Sequence, residues 1–148
     1  MTQEDKDLLL KDLCARLLYG VKILHETWNY EWDQELSVLE RVVGIDETFI
    51  YVKVIDEHTG EEYRDDSHTI DLFNDKPFLR PLSSMTKEEE KEFAEVMVRS
   101  QDCSYQNNES ATTIVNDWYL SKGFDVRGLI PKGLALEAPK GMYNIKKK

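Results

Sequence analysis

The chain has 148 residues, of which 41% are hydrophobic and 32% charged, and its 29 acids against 19 bases give a formal net charge of −10. This composition is typical of a globular domain with one hydrophobic core, and it excludes a disordered chain. The negative charge repels phosphate backbones and anionic lipid headgroups, so direct binding to nucleic acid or to membranes is disfavoured. We therefore expect a single domain that spans residues 1–148.

The N-terminal segment predicts an amphipathic helix over residues 3–18. Thr2 and Asp5 have the spacing of a capping pair, and Gly20 can supply the left-handed residue that ends the helix. The apolar residues recur at intervals of three and four, which places on one face Leu9, Leu10, Leu13, Cys14, Leu17 and Leu18.

The two cysteines and the N-terminus indicate a cytoplasmic protein. Acids occupy the first residues where a secretion signal has a basic region, and no stretch approaches the roughly 20 apolar residues of a membrane span. We therefore expect Cys14 and Cys103 to be reduced, with Cys14 buried on the helical stripe and Cys103 more exposed at the end of a later helix.

Residues 21–55 are rich in β-branched and aromatic side chains, which predicts antiparallel strands. FIYVKVI (49–55) alternates most clearly, whereas ELSVLERVVGI (35–45) also satisfies helical spacing and is assigned to a strand because of its valines. Turns are expected at residues 46–47 and at DEHTGEEY (56–63), where Gly60 allows a positive φ.

KPFLRPLSSMTKEEEKEF (76–93) marks the change from strands to helices. Its prolines favour an extended connector or edge strand, and Thr86 and Glu89 have the spacing of a capping box that starts a second helix. A polar loop over 101–110, a third helix over 110–122 ended by Gly123, and a turn-rich C-terminus with a short strand near 134–137 complete the pattern. The predicted fold class is α+β, with a small curved antiparallel sheet of the SH3-like kind packed with an N-terminal helix and two C-terminal helices.

Three blocks of the sequence resemble a known family. KDLLLKDLCARLLYGVK (6–22), KPFLRPLSSMTKEEEKEF (76–93) and GFDVRGLIPKGLALEAPKGMYN (123–144) are similar to short uncharacterised proteins of gut Bacteroides-type bacteria, often associated with phage or mobile elements. The resemblance covers somewhat under half of the chain and carries over no activity, cofactor or catalytic residue. It implies a phage-encoded or phage-responsive accessory protein.

The histidines and nearby acids are weak candidates for a metal site. His58 and His68 could combine with Asp65 and Asp66, but the chain has no HExxH motif, no paired CxxC and no calcium-loop pattern. We therefore expect no metal and no cofactor. A small enzyme with its site at the 56–75 hairpin remains an alternative hypothesis.

Residues 56–75 hold eight acids against the single base Arg64: Asp56, Glu57, Glu61, Glu62, Asp65, Asp66, Asp71 and Asp75. A solvated surface explains such a run, and an acidic face that meets a basic protein is the functional interpretation. An acidic inhibitor that mimics DNA is a further alternative, and it requires the carboxylates to line one face.

Arg80 and three aromatic residues complete the candidates. Arg80 lies between a leucine and a proline, and a buried arginine needs a carboxylate, so we predict an internal ion pair with Asp125. Trp28, Tyr30 and Trp32 alternate, and they form either an exposed protein interface or core against a helix. The leading hypothesis is a non-enzymatic accessory module that binds a protein partner and has no preassembled reactive centre.

Overall fold

The fold is seen in a computed structural model, which describes residues 2–69, 75–106 and 111–143, with side chains given for all of these except 102–106 and 111. The helices are α1 (Gln3–Ala15), α2 (Lys87–Gln106) and α3 (Ala111–Ser121), with short 3-10 turns at Leu17–Tyr19 and Leu82–Ser84. The strands are β1 (Lys22–Asn29), β2 (Gln34–Ile45), β3 (Phe49–Ile55), β4 (Glu62–Thr69), β5 (Asp75–Leu79) and β6 (Leu136–Glu137).

The strands form one sheet in the order β4-β3-β2-β1-β5-β6. The first four make an antiparallel meander, β5 returns to pair with β1, and the two-residue β6 adds in parallel to β5. The assignment of residues 35–45 to a strand and the turn that follows it are confirmed. The α+β class, with three helices and a curved, mostly antiparallel sheet, is confirmed as well, whereas the SH3-like comparison remains a prediction.

The sheet is strongly curved. Strands β4 and β1 are separated by two others, so in a flat sheet they would lie about 14 Å apart at the usual spacing of about 4.8 Å. Yet the rings of His25 on β1 and His68 on β4 stack with their centroids 3.8 Å apart. The sheet must therefore bend around its inner face.

The larger core cluster joins α1, the inner face of the sheet and the C-terminal segment. It consists of Leu9, Leu13, Val21, Ile23, Val42, Ile50, Val52, Leu79, Leu129, Leu134 and Ala135. The helix ends at Ala15 rather than at residue 18, so Leu18 is left exposed. The prediction that Cys14 is buried is wrong, because Leu9 and Leu13 form the packed face of the helix and Cys14 faces solvent. The side chain of Cys103 lies outside the described residues.

The smaller core cluster holds the two C-terminal helices together. Its buried members are Val96, Trp118 and Phe124, and the residues packed against them are Met85, Phe93, Ile114, Val115 and Tyr119. Ile114, Val115, Trp118 and Tyr119 therefore form the packed face of α3. The prediction of a loop over 101–110 is wrong for residues 101–106, since α2 continues to Gln106, and residues 107–110 lie outside the described residues.

Both predicted helix starts are confirmed by their hydrogen bonds. The Thr2 hydroxyl accepts from the Asp5 backbone N–H at 3.1 Å, and the Asp5 carboxylate accepts from the Thr2 N–H at 3.3 Å. The reciprocal pair of bonds also links Thr86 and Glu89, at 3.1 Å and 3.0 Å. Each box satisfies backbone donors that the first turn of a helix leaves without partners.

Candidate functional site

Four ionisable side chains meet on the inner face of the curved sheet: His25 on β1, Glu40 on β2, His68 on β4 and Asp75 at the start of β5. Strand register explains why they share this face. His25 pairs with Asp75 across β1 and β5, and His68 pairs with the buried Ile50 across β4 and β3. Residues opposite each other in a sheet point to the same side, so these four face the core.

The contacts within this His–carboxylate cluster are short. His25 Nδ1 lies 2.5 Å from Asp75 Oδ1, and His68 Nε2 lies 2.8 Å from Glu40 Oε1. The second Asp75 oxygen lies 3.8 Å from His68 Nδ1. Side-chain exposure is 16% for each histidine, 3% for Glu40 and 0% for Asp75, so the carboxylates are buried beneath partly accessible rings.

The surroundings of His68 favour its protonated form. Burial disfavours the charge, but the hydrogen bonds to Glu40 and to the Thr69 carbonyl, with the negative charges of Asp75 and Glu40, outweigh it and raise the pKa of His68 to about 9. The geometry agrees, because Nε2 faces the Glu40 carboxylate and Nδ1 faces the Thr69 carbonyl oxygen at 3.1 Å. Only an imidazolium has an N–H to donate to both acceptors.

The structure does not assemble the metal candidates that the sequence suggested. His58 lies in the turn between β3 and β4, where its backbone N–H donates to Asp56, while His68 lies near the far end of β4. Asp65 pairs with Lys53 at 2.7 Å, and Asp66 pairs with Arg64 at 3.2 Å. Of the four predicted residues, only His68 belongs to the cluster.

Sequence reasoning missed the cluster as a unit. One signal was available, since Glu40 lies two residues from Val38 and from Val42 in a strand with period-two burial. A carboxylate on the apolar face of a strand requires a partner there. The partner itself, His68, follows only from the curvature of the sheet.

The predicted ion pair between Arg80 and Asp125 is wrong for the side chains. The Arg80 guanidinium binds both carboxylate oxygens of Glu89, at 2.8 Å and 2.7 Å. The Asp125 carboxylate instead accepts from the backbone N–H groups of Leu129 and Ile130, both at 2.9 Å. The two residues do meet through their backbones, because the Asp125 N–H donates to the Arg80 carbonyl at 2.8 Å.

The three predicted interface aromatics are all exposed. Trp28 lies near the end of β1 and is 45% exposed, while Tyr30 and Trp32 lie in the β1–β2 turn and are 87% and 65% exposed. They alternate along a strand and its turn, since Trp28 belongs to β1, which ends at Asn29, and the other two residues follow in the turn. We call these three residues the aromatic tip. Their exposure contradicts the alternative in which they form core against a helix.

Among residues 2–69, 75–106 and 111–143, no helix is long and apolar enough to span a membrane. Comparison with protein-family models, with curated proteins and with solved structures finds no match to this chain.

Proposed function

We propose that the protein is a non-enzymatic binding module that holds a basic protein segment on the aromatic tip, in an accessory role connected with phage or mobile elements. The observation that carries the proposal is the exposure of Trp28, Tyr30 and Trp32 at the end of one hairpin. The accessory role rests on the family resemblance of the three sequence blocks.

The energetics of exposed aromatic side chains support an interface. Burying a large apolar side chain stabilises a protein or a complex by about 1.5–3 kcal/mol. Covering these three side chains with a partner could therefore contribute several kcal/mol to the free energy of binding. Tryptophan and tyrosine are also the residues that most often dominate the binding energy of protein interfaces. An exposed group of them at a hairpin turn therefore favours a contact with a partner.

The charges around the aromatic tip favour a basic partner. Between Lys22 and Arg41 the chain carries no lysine or arginine, but it carries five acids, namely Glu26, Glu31, Asp33, Glu35 and Glu40. The three acids nearest the turn, Glu31, Asp33 and Glu35, are exposed. Arginine and lysine side chains stack on tryptophan and tyrosine faces and pair with carboxylates, so a segment rich in these residues would satisfy both features.

The test is a titration of the full chain with a synthetic arginine-rich peptide, followed by tryptophan fluorescence and calorimetry. We expect saturable binding that Trp32→Ala weakens about tenfold or more, because the substitution removes a central aromatic contact. Tyr63→Ala is the matched control, since Tyr63 is also well exposed, at 62%, but lies on β4 away from the tip. A glutamate-rich peptide serves as the control for charge.

Absence of saturable binding would overturn the proposal. Equal weakening by Trp32→Ala and Tyr63→Ala would overturn it too, because the peptide would then be held by net charge alone.

The two alternative functions find less support in the geometry. A DNA mimic needs a row of carboxylates, but Asp65 and Asp66 are consecutive on β4 and so point to opposite faces, and Asp75 is buried. Asp71 lies outside the described residues. An enzyme site on the 56–75 hairpin needs His58 near His68, whereas the Glu62-to-His68 part of β4 alone extends about 20 Å.

A further inference from the structure

The His–carboxylate cluster brings three potential metal ligands together. One ligand atom from each of His25, His68 and Asp75 lies within 4.8 Å of the other two. We propose that these three side chains bind a divalent transition-metal ion of the Zn²⁺ class. Two imidazoles and one carboxylate form a donor set typical of zinc and related ions, and a calcium or magnesium site would instead use oxygen ligands.

The distances fit the proposed site after small movements. Ligand atoms about 2.0–2.1 Å from a tetrahedral ion lie about 3.3 Å from one another. In the structure, Asp75 Oδ1 lies 2.5 Å from His25 Nδ1, and the other oxygen, Oδ2, lies 3.8 Å from His68 Nδ1. The first contact must open by less than about 1 Å on that bond-length criterion. The two rings, which are stacked at 14°, must also tilt so that their nitrogen lone pairs converge on the ion.

Glu40 supports the site as a positioning residue. It accepts from His68 Nε2 at 2.8 Å, which leaves Nδ1 at 3.1 Å from the Thr69 carbonyl oxygen and 3.8 Å from Asp75. An ion that binds Nδ1 therefore displaces the proton of this nitrogen and its hydrogen bond to Thr69. A ligating histidine commonly donates its second N–H to a carboxylate, which sets the orientation of the ring and increases its basicity. Glu40 therefore stands where the outer carboxylate of a carboxylate–histidine–metal arrangement is expected.

Charge balance is also compatible with a divalent ion. The carboxylates of Glu40 and Asp75 are 3% and 0% exposed, and the protonated His68 ring supplies positive charge beside both of them. A divalent ion that replaces the Nδ1 proton of His68 would keep positive charge at the same place. The histidine rings are partly accessible, so an ion can reach them, and three protein ligands leave a fourth position for water.

The experiment uses the full chain after chelator treatment and dialysis, titrated separately with Co²⁺, Zn²⁺ and Mg²⁺. Calorimetry gives affinity and stoichiometry, and the visible absorption of Co²⁺ gives the coordination geometry. We expect one equivalent of Co²⁺ or Zn²⁺ to bind and Mg²⁺ not to bind. His25→Ala should weaken Co²⁺ binding by more than about 100-fold, because it removes a direct ligand.

The matched control is His58→Ala, which removes a histidine from the β3–β4 turn outside the cluster and should leave Co²⁺ binding unchanged. Trp32→Ala should also bind Co²⁺ like the wild type, so failure of this proposal and failure of the proposed function are distinguishable. Circular dichroism monitors the folding of each variant.

Glu40→Gln provides the second test and decides the matter where His25→Ala does not fold. It preserves the shape of the side chain, and it should lower Co²⁺ affinity about 10–100-fold while keeping the Co²⁺ absorption spectrum of the wild type. The proposal is overturned by the absence of saturable binding in the wild type, by an unchanged affinity in Glu40→Gln, or by a loss in His58→Ala equal to that in His25→Ala.

Discussion

At the scale of single residues, Arg80 makes several contacts at the junction between the sheet and the helices. Its guanidinium binds Glu89 through two nitrogens, donates to the Lys122 carbonyl at 3.2 Å and to the Ser84 carbonyl at 3.1 Å, and lies 4.2 Å from the Phe124 ring centroid. A planar fork with five donors can satisfy all of these partners at once, which a lysine cannot.

The Arg80–Glu89 pair predicts a pH-dependent stability. Hydrogen bonding to Arg80, with smaller contributions from Thr86 and from the arginine charge, outweighs burial and lowers the pKa of Glu89 from 4.5 to about 2. A lowered folded-state pKa means that the stabilisation is complete above the unfolded value and is lost as pH falls from about 4.5 toward 2. Glu89→Gln removes the charge but keeps an oxygen for the Thr86 N–H. We expect it to cost about 1–3 kcal/mol at pH 7.

The measurement is urea denaturation at pH 7 and at pH 3. The difference between wild type and Glu89→Gln should shrink at the lower pH. Glu88→Gln, one residue earlier in the same turn and exposed, is the control and should match the wild type closely. A Glu89→Gln difference that is equal at both pH values would show that the ion pair does not carry this stability.

At the scale of elements, side chains close in the sequence determine where the helices begin and end. Threonine and acidic side chains start α1 and α2. Helix α3 ends at Ser121, two residues before Gly123, whose φ of 82° suits a residue without a Cβ. Gly123 also has a tertiary role. A Cβ on it would lie 2.8 Å from Cδ2 of Tyr143, so the C-terminal segment packs directly on the end of α3.

This double role predicts different costs for two glycine substitutions. Gly128→Ala should destabilise the fold by about 1–2 kcal/mol through backbone strain alone, because the φ of Gly128 is 71°. Steric overlap adds nothing there, since the new Cβ would meet no atom within 4 Å. Gly123→Ala combines the same backbone strain with overpacking against the Tyr143 ring, which adds about 1–3 kcal/mol. Urea denaturation of both variants measures the difference. Equal losses would mean that the contact with Tyr143 contributes nothing.

At the scale of the whole molecule, the C-terminal segment binds α1 and the sheet through polar groups far apart in the chain. Arg16 pairs with Asp12 at 2.7 Å and donates to the Phe124 carbonyl at 2.6 Å, and Arg127 donates to Asp12 at 3.2 Å. The Tyr143 hydroxyl donates to the Phe78 carbonyl at 2.7 Å and accepts from the Lys22 N–H at 2.8 Å. These bonds join the two ends of the described chain across the core.

Tyr143→Phe tests whether these hydrogen bonds between the C-terminal segment and the sheet stabilise the fold. The substitution leaves the Lys22 N–H and the Phe78 carbonyl without that partner, and an unsatisfied buried backbone group costs about 1–3 kcal/mol. Burial raises the pKa of Tyr143 to about 12, so the hydroxyl keeps its proton through the neutral range. Thermal denaturation should show a lower Tm for Tyr143→Phe, whereas Tyr30→Phe, on an 87% exposed tyrosine, should match the wild type. An unchanged Tm in Tyr143→Phe would mean that the hydrogen bonds of this hydroxyl do not stabilise the packing of the C-terminal segment on the sheet.

The sequence by itself determined the features that depend on neighbours within a few residues. The two capping boxes, the strands within residues 21–55, the turn at Gly60 and the end of α3 just before Gly123 all follow from side chains close to them in the chain. The surface position of the aromatic tip was one of two interpretations, and only the packing of the sheet selected it. The boundary of α2 was missed because polar residues can continue a helix as well as end it.

Only the tertiary structure decided which charged groups meet. Arg80 pairs with Glu89 rather than with Asp125, because the start of α2 places the Glu89 carboxylate next to the end of β5. His25, Glu40, His68 and Asp75 belong to four strands, and their contact depends on the curvature of the sheet, which no local pattern encodes. The physical reason is that the bend arises from the packing of all the strands around one core, so it belongs to the assembled fold rather than to any segment of the chain.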